Sequence, residues 1–512
     1  MVLDAAGGVC VRCRSAAGAV QVREAVYCEK CYTRVFNEKT RASLELARGA
    51  ILLQSVVEPW AKEEDGPPPA LAVAFSGGVA SCVLLHAVAS ALQSNHQPYV
   101  PARAPEFARI DVLFVEGEMA AADAQALAAR IAPKATFVPL SLDSVYDEGS
   151  VDCTLEPHGA RILADAPHAR AADDLSALLH ALYPDTTPRT GVAAARTRAD
   201  DLRALFLHRV LRTAAAERQC AALLYGHSAP RTAALLLENL AKGAGHKLPI
   251  ESAPSQWWAG EREVLIVHPL RTHLAEELAF YAAVHGFGDD APPRDLAYEA
   301  NADKSSIGSL TQSLVDSLQH GVSSTVSTIQ GTGAKLVYRP DTLWPTEAAA
   351  AAPPPDTPYP RIGAKGEGLV RLARDAHRYD PYAEPHICPL CTYPAQRGAA
   401  QWRAERSVTT RDAAPPPPAD ALDLRTRLCY SCLQILDVPE SPARAACTVA
   451  LPAYVLAATR PHARHARPAR TADTSPMPAP DPEPHVPGGR ATHAPQPVSR
   501  AAMAASLAPY LL

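Results

Sequence analysis

The sequence has no long apolar run and no strong excess of charge of either sign. No stretch offers about 18 uninterrupted apolar residues, so we expect no membrane span. The first residues, MVLDAAGGVC, do not form a charged region followed by an apolar one, so we expect no secretion signal and a cytoplasmic location. The net charge of −5 gives no global reason to expect nucleic-acid binding, so any such site would have to be local.

Cysteine is present in a regular pattern. Eight of the 12 cysteines form four C-x-x-C pairs, which are Cys10/Cys13, Cys28/Cys31, Cys388/Cys391 and Cys429/Cys432. Without a secretion signal, such pairs indicate metal sites rather than disulfides. The spacing of the front pairs, Cys10/Cys13 and Cys28/Cys31, is typical of a four-cysteine zinc unit. The proline-rich insert between the rear pairs, Cys388/Cys391 and Cys429/Cys432, is compatible with a second zinc unit that has a longer loop. The alternative is a set of reduced thiols without metal.

The first zinc unit is followed by a basic segment with helical character, over residues 33–58. Basic residues in and around the unit are candidates for contact with RNA phosphates, and they are Arg12, Arg14, Arg34, Lys39 and Arg41. The alternative interpretation is a solvated helix face, which is where such charges usually lie.

Strand-like apolar runs alternate with helix-like segments between residues 70 and 290. Strands are predicted at 71–75, 109–116, 135–142, 221–226 and 262–270, with helices up to 93 and over 119–132, 199–219, 229–242 and 274–285. This alternation predicts an α/β fold with a parallel sheet and helices on both faces. Ligands of such sheets bind beyond the carboxyl ends of the strands.

One strand-to-helix turn, in VAFSGGVASCVLLH (73–86), carries a Ser-Gly-Gly loop. Glycines let the backbone approach phosphates, and successive N–H groups with the helix N-terminus attract the anion. We interpret Ser76, Gly77, Gly78 and Ser81 as a candidate nucleotide-binding loop. The alternative is an ordinary turn, where small residues are common.

The loop resembles the S-G-G-x-D-S pattern of the ATP-pyrophosphatase loop in tRNA-modifying thiolases, with Ala80 at the aspartate position. The order of motifs along the chain resembles the cytoplasmic tRNA 2-thiolation protein 2 family. Beside the cysteine pairs and the degenerate loop, the matching stretches are FVEGEM (114–119), HPLRTHLAEELAFYA (268–282), SSTVSTIQGTGAKL (323–336) and LCYSC (428–432).

This resemblance implies an α/β fold with a parallel-sheet domain of the ATP-pyrophosphatase type (adenine nucleotide alpha hydrolase-like), flanked by small four-cysteine zinc modules. It also implies a heterodimer with a catalytic paralogue that puts sulfur on C2 of the wobble uridine of certain tRNAs. The implied chemistry is adenylation of the C2 oxygen by ATP followed by attack of sulfur. The implied sulfur donor is a ubiquitin-like modifier that carries a thiocarboxylate.

The chain departs from the catalytic relatives at three places. Ala80 replaces the acid of the loop, and GHSAPR (226–231) has no acid where the relatives carry a GHNADD-like stretch. The relatives also have a cysteine pair in the α/β domain, whereas Cys153 and Cys220 stand alone and are interpreted as buried, inert thiols. These losses indicate a non-catalytic subunit that binds tRNA, the partner or both, and they leave open whether ATP still binds.

Two other functions remain as alternatives. One is an ATP-dependent tRNA sulfurtransferase that is active on its own, and the other is a zinc-stabilised scaffold without RNA contact. Proline clusters and composition predict a zinc module (1–35), a basic helical linker (36–66), the α/β domain (67–300), a helical extension and linker (301–385), a second zinc module (386–458), a disordered tail (459–505) and a docking segment (506–512).

Overall fold

The computed structural model describes residues 8–22, 25–57, 70–94, 109–117, 119–156, 159–163, 175–183, 192–259, 263–287, 306–321, 324–336, 377–379, 387–396, 398–400, 421–436 and 447–459. They belong to one unit, Met1–His462, and a second unit, Ala463–Leu512, lies outside them. The predicted docking segment and, apart from residue 459, the predicted disordered tail therefore also lie outside the described residues.

The described helices are α1 (Glu29–Val57), α2 (Val79–Ser94), α3 (Ala121–Ile131), α4 (Leu175–Leu182), α5 (Val192–Glu217), α6 (Ala229–Ala241), α7 (Leu248–Glu251), α8 (Ala275–Val284), α9 (Ile307–Gly321), α10 (Thr325–Gly333), α11 (Tyr430–Ile435) and α12 (Ala453–Ala457). Within these ranges, no helix combines the length and apolar character that crossing a bilayer requires. Helix α1 begins four residues before its predicted start and runs across the predicted boundary at residue 35.

The strands are β1 (Val20–Val22), β2 (Ala25–Tyr27), β3 (Ala70–Ala74), β4 (Arg109–Val115), β5 (Thr136–Leu140), β6 (Ser150–Glu156), β7 (Gly159–Leu163), β8 (Cys220–Leu224), β9 (Ser255–Ala259), β10 (Glu263–Val267), β11 (His377–Tyr379), β12 (Ala421–Asp423) and β13 (Cys447–Pro452). All five predicted strands of the α/β region are present, as β3, β4, β5, β8 and β10.

A seven-stranded sheet in the order β11-β9-β10-β8-β3-β4-β5 forms the centre of the molecule. The five predicted strands pair with one another in parallel, which confirms the predicted fold class. Strand β9 is antiparallel to β10, because the three residues between them can join only antiparallel neighbours. This strand is missing from the sequence prediction.

Both faces of the central sheet are buried, as its alternating side chains show. On β3, Ala70 and Ala72 contribute to one hydrophobic cluster, whereas Leu71 and Val73 contribute to the other. The second cluster includes α1, where the Phe36 ring stacks on Tyr281 of α8 at 4.1 Å between centroids. Parallel strands buried on both faces read as continuous apolar runs, which is why they were predictable from sequence.

A second sheet, in the order β12-β7-β6-β13, was not predicted. It pairs β6 and β7, from the middle of the α/β region, with the two strands that flank the Cys429/Cys432 pair, and every pairing is antiparallel. The paired segments are far apart in sequence, so no local sequence pattern predicts their pairing. The sheet joins segments that the sequence assigns to different domains, and the domain boundaries stay predictions.

Candidate functional site

The Ser-Gly-Gly turn lies at the carboxyl end of β3, where the sequence places it. Ser81 Oγ donates to the Gly78 carbonyl at 2.8 Å and lies 3.3 Å from both the backbone nitrogen and the hydroxyl of Ser76. The Gly78 N–H in turn donates to Ser76 Oγ at 3.3 Å. The hydroxyls of Ser76 and Ser81 are thus already hydrogen-bonded within the loop, and a ligand would have to compete with these bonds.

Two neighbours fit closely around this turn. Gly77 has φ of 77°, and a Cβ there would come within 2.7 Å of the end of the Met119 side chain. A Cβ at Gly226, which follows β8, would lie 3.2 Å from the backbone of Ala80. Position 80 therefore lies beside the carboxyl ends of β3 and β8, and the alanine there supplies no carboxylate.

A cavity of about 1160 Å³ extends from the Ser-Gly-Gly turn toward the rear cysteines. Its lining includes Ser76, Ser81, Tyr225, Cys391 and Cys432. The exposed Asp316 and Ser317 of α9 also line it, so the cavity reaches the surface. The cavity therefore brings together two motifs that the sequence presents as separate sites.

Histidine and tyrosine side chains lie at the carboxyl ends of β8 and β10. The His227 and His268 rings stack with centroids 5.1 Å apart, and His208 Nδ1 lies 3.2 Å from the Tyr225 hydroxyl. Burial lowers the pKa of His208 and His268 well below the ordinary value, so both imidazoles are neutral near pH 7. They offer flat, uncharged surfaces and hydrogen bonds, not cationic charge.

The carboxylates that line the cavity all have protein partners. Lys242 binds both Asp201 and Glu238, and Lys247 Nζ lies 3.1 Å from Glu251. The remaining two accept hydrogen bonds from glutamine side chains, Glu276 from Gln319 and Asp316 from Gln312. A magnesium site needs oxygen ligands that face the nucleotide, and each of these carboxylates is already bound by a lysine or a glutamine.

Three of the four cysteines outside the C-x-x-C pairs lie in the core. Cys82, Cys153 and Cys220 are each fully buried, and burial raises the pKa of each to about 12. Cys220 also lies at the amino end of β8, near Asp111, and therefore away from the Ser-Gly-Gly turn. A thiol that is protonated at neutral pH is a poor nucleophile and a poor sulfur carrier.

The front cysteines converge between the β1–β2 hairpin and the first turn of α1. Their four sulfur atoms lie within 4.8 Å of one another, and Cys13 is exposed. Arg14 adopts φ of 56° and its N–H donates to the Cys10 carbonyl at 2.9 Å, which closes the knuckle. Hydrogen bonds from Ser15 lower the pKa of Cys13 to about 5, whereas the hydrogen bond with Cys28 raises the pKa of Cys31 to about 12. Without an ion the thiols therefore share protons, and a bound metal would take all four as thiolates.

The rear cysteines repeat this geometry in a buried setting. Their sulfur atoms also lie within 4.8 Å of one another, and all four residues are buried. Thr392 has φ of 59° and donates to the Cys388 carbonyl at 2.8 Å, so both knuckles close in the same way. Four thiolates at this spacing suit a closed tetrahedral site for a metal such as zinc.

Gly243, between α6 and α7, packs directly against the rear knuckle. Its φ is 70°, and a Cβ there would come 2.6 Å from the Tyr430 ring. Gly243→Ala is therefore expected to lower the free energy of unfolding by more than the roughly 1–2 kcal/mol that left-handed backbone alone costs. Urea unfolding measures the free energy of unfolding of the variant and the wild type. Gly286→Ala is the matched control, since φ is 75° but nothing lies within 4 Å; equal losses in both variants would contradict the clash.

The predicted RNA-contacting residues near the front cluster have carboxylate neighbours, with the exception of Arg14, which forms the knuckle. The ion pairs are Arg12–Glu38 (3.0 Å), Arg34–Glu38 (3.1 Å), Lys39–Glu277 (2.9 Å) and Arg41–Glu45 (3.7 Å). The Arg34 and Arg41 side chains are 73% and 72% exposed, so their pairs contribute little and can be exchanged for phosphates. Lys39 is different, because its Glu277 partner is largely buried.

Several cavity residues were missed by sequence reasoning, above all His208 and Arg212 of α5, Lys247 and His268. Asp201, His208 and Arg212 recur at helical spacing on α5. This helical spacing is the one feature of the sequence that could have identified these residues. It does not distinguish a helix face that lines a cavity from one that faces solvent.

The fold and the site define an α/β protein with a mostly parallel central sheet, a glycine turn after β3 and two four-cysteine clusters. A family model described as Cytoplasmic tRNA 2-thiolation protein 2 matches residues 306–434. This match and the relatives described next confirm the resemblance to the cytoplasmic tRNA 2-thiolation protein 2 family.

The relatives carry that same name. The protein from Coccidioides immitis is 26% identical over 54% of this chain and 68% of its own length. The Danio rerio protein is 34% identical over 30% of this chain and 29% of its own length, and the Homo sapiens protein is 34% identical over 23% and 22%. The matched regions thus span less than a third of the two vertebrate relatives.

Two solved structures are similar at low identity. The U34-tRNA thiolase NcsA from Methanococcus maripaludis, with its 4Fe–4S cluster, is 12% identical, covers 64% of this chain and 85% of its own, and has a TM-score of 0.39. The NAD+ synthetase from Burkholderia pseudomallei is 12% identical, covers 57% and 95%, and has a TM-score of 0.25.

Proposed function

We propose that this chain is the non-catalytic subunit of a cytoplasmic complex that forms 2-thiouridine at the wobble position of tRNA. The coarser statement, a role in tRNA 2-thiolation, follows from the family resemblance. The cytoplasmic location is the one that the relatives' names give for those proteins, and we assign it to this chain. In this proposal a catalytic paralogue completes a heterodimer, and a thiocarboxylated ubiquitin-like modifier donates the sulfur.

The observation that carries the proposal is a retained nucleotide-loop frame without its acid. The strand, the glycine turn and helix α2 are in place, but position 80 is alanine. Nucleotidyl transfer depends on positioned charge and metal ions, and the lining carboxylates are bound to other side chains. This supports binding and scaffolding over catalysis.

We also propose zinc as the ion of both cysteine clusters. The donor set is four sulfurs in each, which also suits an iron–sulfur cluster, but the paired knuckle turns favour a single tetrahedral ion. Zinc would be structural here, because four thiolates leave no open position for chemistry. The cysteines themselves then fix the hairpin to α1 at the front and the two knuckles to each other at the rear.

Reversing the charge of Arg34 and Arg41 to glutamate is expected to weaken tRNA binding. Each lost phosphate contact should reduce the salt slope of binding by about 0.7 to 0.9. The measurement is tRNA affinity across a salt series, with Lys39 left intact because it supports the Glu277 contact. Glu38→Gln is the converse variant, since it frees Arg12 and Arg34 and should strengthen binding. Unchanged affinity and slope in both variants would make this surface a solvated face.

The proposal as a whole is tested in cells that lack this chain. We expect loss of 2-thiouridine from tRNA, rescue by the wild-type chain, and co-purification of the catalytic paralogue with it. A scaffold without RNA contact would rescue thiolation even when the Arg34 and Arg41 reversals are present. Normal thiouridine levels without the chain would contradict the proposal.

A further inference from the structure

The two cysteine clusters have similar sulfur geometry but differ in their access to solvent. In the rear cluster the sulfur atoms of Cys391 and Cys429 lie 3.8 Å apart, and all four cysteines are buried. Cys391 and Cys432 line the cavity, but they are only 5% and 1% exposed. In the front cluster the sulfur atoms of Cys13 and Cys28 lie 3.9 Å apart, and Cys13 is exposed. A small solute therefore reaches the front cluster directly from water.

The first knuckle of the front cluster, residues 10–16, lies at the surface. Residues 11–15 are all exposed. Beside the cysteines, its contacts with the rest of the chain include a hydrogen bond from the Val11 N–H to the Val26 carbonyl at 2.9 Å and the Arg12–Glu38 ion pair at 3.0 Å. Because an ion pair at the surface contributes little, the cysteines are the main link between this knuckle and α1.

The hairpin and α1 have attachments of their own. Val20 and Tyr27 of the β1–β2 hairpin pack against the second hydrophobic cluster. On α1, the Tyr32 hydroxyl donates to the Glu277 carbonyl at 2.5 Å, and Phe36 is buried in the same cluster. Opening the front cysteine cluster would therefore loosen the knuckle and leave the hairpin and the helix in place. A site that opens at little cost to the fold is suited to a reversible modification.

We propose that the front cluster is a reversible oxidation site, at which a hydroperoxide converts Cys13 and Cys28 to a disulfide. The thiolate is the form of cysteine that reacts with peroxide, and a metal holds its cysteines as thiolates. Access to the oxidant then selects the exposed Cys13, with Cys28 as its nearby partner. The knuckle also carries Arg12 and Arg14, so the modification would act on the surface assigned to tRNA. The inference rests on the proposal that this cluster holds zinc.

The chemistry is a two-electron oxidation of two thiolates. The Cys13 sulfur attacks the peroxide, an S–O bond forms, the O–O bond breaks, and the departing hydroxide takes a proton and leaves as water. The Cys28 thiolate then attacks the sulfenic acid, an S–S bond forms, the S–O bond breaks, and a second hydroxide takes a proton. Two thiolates, one hydrogen peroxide and two protons thus give one disulfide and two waters. Cys10 and Cys31 remain, and two thiolates are too few for a closed tetrahedral site.

The first experiment follows metal and disulfides in the full chain. The purified chain is analysed for zinc and titrated with hydrogen peroxide, while a chromogenic chelator reports released zinc and peptide mapping identifies disulfides. We expect loss of one ion per chain together with a Cys13–Cys28 disulfide, retention of the ion in the rear cluster, and recovery with dithiothreitol and zinc. Release of the rear ion first, of both ions together, or of neither at a concentration that oxidises glutathione would overturn the inference. Metal content before peroxide tests the zinc proposal separately, and the disulfide map tests the oxidation site in either case.

Two variants of the front cluster separate exposure from zinc binding. Cys13→His keeps a fourth ligand and removes the exposed thiol, so its front ion should survive the peroxide concentration that releases it from the wild type. Cys31→His is the matched control, because it changes one ligand in the same way but keeps the Cys13 and Cys28 pair. It should release its front ion with peroxide as the wild type does. Equal release from both variants would show that the exposed Cys13 does not determine the reaction, and the inference would be wrong.

Discussion

Replacement of Cys429 by serine is expected to leave almost no folded protein, whereas replacement of Cys13 by serine should leave the α/β body folded. The rear cysteines belong to the same hydrophobic cluster as Phe206 of α5 and Leu451 of β13. The front cysteines are outside both clusters, and Cys13 is exposed. Loss of the rear site therefore exposes the main core, and loss of the front site does not.

The magnitude follows from the energy of metal binding. If the cluster holds zinc as proposed, the site supplies about 10–16 kcal/mol of folding free energy, which is as large as the roughly 5–15 kcal/mol stability of a typical domain. Soluble yield, circular dichroism and bound metal per chain measure the outcome. Cys153→Ser is the matched control for placing a hydroxyl in the core, with an expected cost of about 1–3 kcal/mol. Equal behaviour of Cys429→Ser and Cys13→Ser would contradict this view of the rear cluster.

Ala80→Asp is expected to restore no detectable adenylation. The new carboxylate would lie in the first turn of α2, next to Gly226, but no second acid follows β8. The lining carboxylates are held by Lys242, Lys247 and two glutamines. One carboxylate is the lower limit of what holds Mg²⁺ on a triphosphate, and here no second acid helps to fix the ion for catalysis. Release of AMP from ATP in the presence of tRNA measures the outcome.

A variant with a rebuilt acid pair sharpens this test. Ala80→Asp combined with Pro230→Asp places one carboxylate in the first turn of α2 and one in the first turn of α6. Even so, thiolation should stay absent, since the buried thiols of Cys153 and Cys220 cannot carry sulfur at neutral pH. Thiouridine formed by either variant without a partner would show that only the acids separate this chain from an enzyme.

The parts of the fold that were predictable are those with local signals. Buried parallel strands appear as apolar runs, and the glycine turn after β3 falls where a parallel sheet places its ligands. The C-x-x-C pairs predicted which four cysteines form each cluster. Their spacing did not predict whether a cluster is buried or exposed. The structure shows that one cluster is exposed in part and the other is inside the core.

The rest depends on contacts between distant segments. The pairing of β6 with β13 joins residues about 300 positions apart, and no turn or periodicity marks it. For the same reason the sequence could not indicate that Cys391 and Ser76 line one cavity. The basic residues near the front cluster were visible, but their pairing with Glu38, Glu45 and Glu277 was not.

We infer that this chain contributes to tRNA thiolation without catalysing it. The most direct measurement incubates the purified chain with ATP, Mg²⁺, tRNA and a thiocarboxylated donor, and follows AMP and 2-thiouridine with and without the catalytic paralogue. We expect neither product from this chain alone, and both products once the paralogue is added. Turnover by the chain alone that disappears in a folded Ser76→Ala, Ser81→Ala variant would contradict it.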